Sequence, residues 1–202
     1  MRFAALLLFP LAAAFAGCGD DGGDRGRPVT PADLAEIVLQ RDDVDVGVLG
    51  EPIVQGDENS NAYGHQFEVP PDDAGEGETV CVTAALALYH SPSAARDAFD
   101  AVRDSIDQLV ASSNPGRTVQ RVAVPGLGDE SDGIRTSSPS TAYCFSYQDA
   151  PLDGHTVYFR DHDVLASVAV RTLGGEAAVF DAIDLARAQL ERLQQFRATE
   201  AP

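Results

Sequence analysis

From His155 to Thr172 the chain reads HTVYFRDHDVLASVAVRT. Two runs rich in β-branched and aromatic residues, 155–160 and 164–172, flank Asp161-His162-Asp163, a link of hairpin length. Neighbouring strands joined that tightly run antiparallel, because a parallel pair needs a crossover of a dozen or more residues. Upstream, residues 118–124 and 141–147 read as two further strands, with Pro125-Gly126-Leu127-Gly128 as a turn after the first. This run of consecutive strands points to a mostly antiparallel sheet.

The N-terminal half adds two strands. From Asn61 to Val69 the pattern alternates, with Tyr63, His65, Phe67 and Val69 on one face. Thr79 to Tyr89 is apolar on both sides, as a central strand must be. Helices punctuate the strands. Thr30-Pro31-Ala32-Asp33 offers a cap, an N1 proline and an acidic partner for a capping box, predicting a helix of about ten residues with Leu34, Ile37 and Val38 inward. Ser91-Pro92 repeats the cap-plus-proline signal. Behind it Ala95, Phe99, Val102, Ile106 and Leu109 recur at helical spacing, with Arg96, Asp100, Arg103 and Asp107 on the other side. Asn114-Pro115-Gly116 stops this helix, and Gly174-Gly175 precedes a last one whose inner face holds Val179, Ile183, Ala186, Leu190 and Leu193. The expected fold is α+β, in the order α-β-β-α-β-β-β-β-α, with helices packed on one face of the sheet.

The first residues carry an address rather than a fold. Met1-Arg2, an apolar run of about 13 residues to Phe15 and then small residues form the tripartite order of a secretory signal, too short for a bilayer span of about 20. Phe15-Ala16-Gly17-Cys18 resembles a lipobox, with Phe where Leu is usual, and assigns residues 1–17 to a cleaved signal and Cys18 to lipidation. The competing reading is cleavage after Ala14-Phe15-Ala16 and release. Residues 18–29 then form the lipidated start and a flexible Gly/Asp-rich tether, and residues 30–202 one domain, roughly 170 residues and ample for a core. The expected location is extracytoplasmic, held to the cell membrane by acyl chains such as palmitate on Cys18.

Composition narrows the partners. The chain has 32 acidic residues against 14 basic ones, all Arg, for a net charge of −18. Such a surface repels phosphate backbones and anionic headgroups, which argues against nucleic acid and against lying along a membrane. With Cys18 assigned to lipid, Cys81 and Cys144 remain, an even pair outside the cytoplasm and therefore an expected disulfide; two separate buried thiols are the alternative.

Candidate chemistry is sparse. Asp57, Asn59, Asn61 and Glu68 fall at positions 1, 3, 5 and 12 of a calcium loop, but Ala62 stands where the sharp turn needs Gly, and the alternation points Asn61 and Glu68 to opposite faces. They are weak metal candidates, and a solvated loop running into a strand accounts for them better. Asp129-Glu130-Ser131-Asp132-Gly133 reads as an acidic turn. Gly126-Leu127-Gly128 lacks the rest of a phosphate loop. His65, His90, His155 and His162 show no zinc spacing, and His162 sits at a polar loop tip between two carboxylates. No nucleophile motif is present. No cofactor is expected.

Asn61-Ala62-Tyr63 with Phe67, Tyr89-His90-Ser91-Pro92 leading to Phe99, Pro125 to Ser131, Tyr158-Phe159-Arg160 with Leu165 to Val168, and Ala186 to Leu190 form an ordered series. In this series the chain resembles a broad group of actinobacterial-type envelope lipoproteins. It is also loosely similar to extracellular sensor-like domains of bacterial serine/threonine kinases. The hairpin tip departs, with Asp161-His162-Asp163 after Arg160 where such relatives often carry Arg-x-Gly-Asn. The resemblance implies an α+β fold with a ligand cleft and brings no reaction. The expected function is a non-enzymatic envelope lipoprotein that binds a small or lipidic ligand or a partner protein. The alternative is an interaction module whose acidic surface meets a cationic partner.

Overall fold

The computed structural model describes residues 26–199 apart from positions 46, 51, 58, 76–77, 114–117, 125, 139–151 and 175–178. The signal segment, Cys18, Cys144 and the run 141–147 lie outside the described residues. The elements are α1 (Leu34–Ile37), β1 (Val48–Leu49), β2 (Ile53–Gly56), β3 (Ser60–Glu68), β4 (Thr79–Tyr89), α2 (Pro92–Ala111), β5 (Thr118–Val122), β6 (Glu130–Ser138), β7 (Leu152–Asp161), β8 (Val164–Leu173) and α3 (Val179–Ala198). The fold is α+β in the expected order, with β1 and β2 as two short additions.

All described strand pairs are antiparallel, in the order β1-β3-β4-β8-β7-β6-β5, with β2 also pairing β3. The β7–β8 hairpin closes at Asp161 opposite Val164, which leaves a two-residue loop, His162-Asp163. His162 takes a positive φ of 53° there. β4 is central, as its two apolar faces demand: β3 and β8 flank it, and every residue from Val80 to Tyr89 is buried.

The helices lie on both faces of the sheet, not on one. Alternate residues of β4 and β8 divide the core. Val82, Ala84, Leu86 and Leu88 meet Val164, Ala166, Val168, Val170 and the inner faces of α1 and α3. Ala87, Tyr89 and Leu165 instead pack with Ala95, Ala98, Phe99, Val102 and Ile106 of α2. A sheet apolar on both sides of its central strands needs a cover on each, which is why α2 takes the face that α3 leaves.

Local signals explain the helix ends. Ser91 Oγ accepts the Ala94 N–H at 3.2 Å with Pro92 behind it, so α2 starts where expected. The first helix is shorter than expected. Its end is defined by Val38 turning extended (ψ 150°), while α3 side chains occupy the backbone there. Gln189 donates to Ile37 O and accepts from Leu39 N–H, and Arg192 binds Ile37 O and Glu36 O. Those bonds replace the turns a longer helix would have supplied.

One strand departs from the sequence expectation. Glu130 to Gly133 opens β6, between β5 and β7, whereas this stretch reads as a turn in sequence. Its carboxylates mimic a solvated loop because the arginines that neutralise them come from elsewhere in the chain.

Candidate functional site

The α2 face of the sheet changes character along its length. Near the β7–β8 tip it is apolar under α2. Toward the opposite end, the same face of β3, β4, β7 and β8 presents Gln66, Thr83, Thr156 and Arg171, all buried. The pairing register sets them side by side: Gln66 is opposite Thr83, Thr83 opposite Ala169, and Ala169 opposite Thr156, with Arg171 one pleat further along β8.

Arg171, 5% exposed, lies flat over Gly154, its cross-strand partner. A Cβ on Gly154 would sit 2.3 Å from Arg171 Nη1, so only glycine leaves room for the guanidinium. Nη1 donates to the carbonyls of His155 and Val170 at 3.2 and 3.1 Å, and Nη2 to Thr156 Oγ1 at 3.1 Å. Gln66 Nε2 donates to the Glu68 carboxylate. Thr83 Oγ1 is buried and, among the described residues, has no hydrogen-bond partner. Leaving a hydroxyl so placed costs about 1–3 kcal/mol by protein mutational measure. The guanidinium and amide donors are engaged within the chain, and the Thr83 hydroxyl is the group of this set left to meet an acceptor.

Among the described residues, those singled out in the sequence as metal candidates are not grouped into a site. Asp57 Oδ1 accepts the backbone N–H groups of Asn59 and Ser60 at 2.8 Å each, as the cap of the β2–β3 turn. Those two bonds hold its carboxyl below the usual range. Asn61 and Glu68 sit near opposite ends of β3, on opposite faces. Among the described residues no three His, Cys, Asp or Glu side chains are grouped for a metal. Cys81 is fully buried on β4 beside Leu152, the first residue of β7.

The acidic knot is disassembled by arginines. Asp132, buried on β6, pairs with Arg121 at 3.0 Å and Arg103 of α2 at 3.8 Å. Asp129 and Glu130 both hold the buried Arg160, at 2.8 Å each, and Asp129 also accepts the His162 N–H. His65 is structural: its Nδ1 meets Leu39 O at 2.9 Å, and its ring stands edge-on to Tyr63 and Phe67. Burial, aided by the charge of Asp57, pushes the Tyr89 hydroxyl up to about 12, so it stays neutral.

Sequence reading passed over Gln66, Thr83, Thr156 and Arg171 as ordinary strand positions. The available signal was polar residues on the α2-side parity of strands otherwise apolar on both faces. Arg171 within Val164–Leu173 was the plainest of them.

No protein-family model matches the chain, and no curated protein matches it. Among solved structures it is similar to the extracellular domain of PknH from Mycobacterium tuberculosis, with a TM-score of 0.60 and 12% identity, over 84% of this chain and 99% of that one. At that identity the likeness is one of fold, shared with the extracellular domain of a bacterial kinase.

Proposed function

We propose that this protein is an extracytoplasmic binding module, without a reaction of its own, that takes a ligand at the polar half of the α2 face. One observation carries the reading: among the described residues Thr83 Oγ1 is buried without a partner, in the polar layer that holds Gln66, Thr156 and Arg171. An acceptor-bearing ligand, or a partner's side chain or headgroup, satisfies that hydroxyl and repays its desolvation. The fold shared with an extracellular domain supports the location.

Lipidation at Cys18 and a Cys81–Cys144 disulfide belong to the same proposal. The lipobox supports the first. The second is supported by the burial of Cys81 against Leu152, eight residues beyond Cys144 in sequence. Cys18→Ser is expected to abolish palmitate labelling and release the protein from the membrane fraction.

Native mass spectrometry of the mature chain, exported to an oxidising compartment, tests the binding role. A co-purifying mass lost on unfolding, and absent from Thr83→Val and Arg171→Met, is the expected result. A wild-type chain that is bare from every source would overturn the reading.

A further inference from the structure

The two edges of the sheet are finished differently. At the β5 edge Ser113 Oγ accepts the Val119 N–H at 2.8 Å and donates to the Val119 carbonyl at 3.1 Å, which closes that residue to another strand. The β2 edge carries no such cover. Asp57 N–H donates to Ser60 O at 2.9 Å, so these two form the hydrogen-bonded pair that closes the β2–β3 turn. Alternation along an antiparallel ladder then turns the backbone of Ile53 and Gln55 toward β3, and that of Val54 and Gly56 outward. Among the described residues nothing meets the outward N–H and carbonyl groups of Val54 and Gly56.

The side chains suit an open edge. Val54 is 71% exposed, the one large apolar side chain so placed among the described residues. It stands opposite Tyr63, which packs on the core under α3, so Val54 carries that apolar layer out to the rim of the sheet. Ile53-Val54-Gln55-Gly56 holds no charge, and no Lys or Arg guards it. Residues 42–95, which include β1 to β4, contain 11 acidic residues and no Arg or Lys. Asp43 is paired with Arg192 of α3, whereas Asp57, next after β2, is exposed and kept charged by the N–H groups of Asn59 and Ser60.

We infer that the β2 edge takes up an extended, basic segment of a partner protein as a further strand of the sheet. Main-chain bonds to Val54 and Gly56 supply the pairing, and an apolar residue opposite Val54 covers it. Lys or Arg on either side of that residue meets the acidic surround. A second copy of this chain suits the edge less, because it brings a net charge of −18 and the same acidic flanks to a segment without Arg or Lys. The inference is independent of lipidation and of the ligand proposed for the polar half of the α2 face.

The probe is a short peptide of alternating Val and Lys, blocked at both ends and titrated into the mature chain by calorimetry. Binding is expected to weaken as salt is added, and hydrogen exchange to slow at the Val54 and Gly56 amides. Val54→Pro should bind about tenfold more weakly. It removes an outward N–H, which an edge strand tolerates, and leaves the charge unchanged. Gly56→Pro removes the other outward N–H and serves if Val54→Pro misfolds, while the exchange readout needs no variant. Equal binding by the proline variants, or binding without protection of those two amides, would reduce the effect to attraction by an acidic surface and overturn the inference. A Val and Glu peptide that binds as well would overturn the basic partner. A peptide-free dimer that Val54→Pro dissociates would give the edge to a second copy instead.

Discussion

Arg197 donates to Asp161 across 2.7 Å, each side chain about 10% exposed, and so binds the end of α3 to the tip of the β7–β8 hairpin. The same guanidinium reaches Asp163 at 2.8 Å. Removing it strands two carboxylates in a place with little water. Arg197→Met is therefore expected to cost about 3–5 kcal/mol in urea unfolding. A loss near zero would mean the tip relaxes into solvent.

Asp161 gives that pair a pH signature. Burial pushes its carboxyl up, and this outweighs the opposing pull of Arg197 and of His162. A carboxyl held above its unfolded pKa contributes stability that is fully present below the unfolded value and is lost as pH rises through the folded one. Asp161→Asn deletes this contribution. The stability advantage of wild type over the variant should therefore shrink as pH rises above about 3.9, the ordinary value for an Asp carboxyl. Denaturation curves in which the advantage grows with pH would show that attraction to Arg197 wins instead.

Thr83→Val separates a binding hydroxyl from a structural one. Replacing an unpaired buried hydroxyl with a methyl removes a desolvation penalty. The ligand-free variant should be as stable as wild type or more stable by about 1 kcal/mol, and should lose the co-purifying mass. A clear loss of stability would show that the hydroxyl has a partner in the folded chain.

Gly154→Ala should displace Arg171. The added methyl meets its Nη1 at 2.3 Å and its Cδ at 2.4 Å, in a buried layer with little room to yield. Overpacking of this kind costs about 1–3 kcal/mol, and calorimetry should show it as a lower Tm together with weaker ligand retention. An unchanged Tm would mean that Arg171 has an alternative bed.

His162→Gly should stabilise the protein by about 0.5–1 kcal/mol, since the left-handed backbone at φ 53° costs an L-residue and not glycine. The bonds that hold the tip here are made by the His162 backbone, to Asp129 and from Arg160, and they survive the change. Chemical denaturation of the two proteins decides this directly.

The sequence on its own determined the antiparallel β7–β8 hairpin, the central position of β4 and the start of α2. Each follows from local chemistry: side-chain period, link length, and a Ser-Pro cap. The clamp of Gln189 and Arg192 on the end of α1 joins residues about 150 positions apart, and no local pattern contains it. The same holds for Asp132. Its sequence neighbours make it look solvated, while its partners Arg103 and Arg121 arrive from α2 and β5. Only the tertiary structure decided that the helices divide between the two faces and that Thr83, Thr156 and Arg171 share one patch. Period and propensity fix what a segment becomes, but which segments meet is set by burying both faces of one sheet at once, a condition on the whole chain.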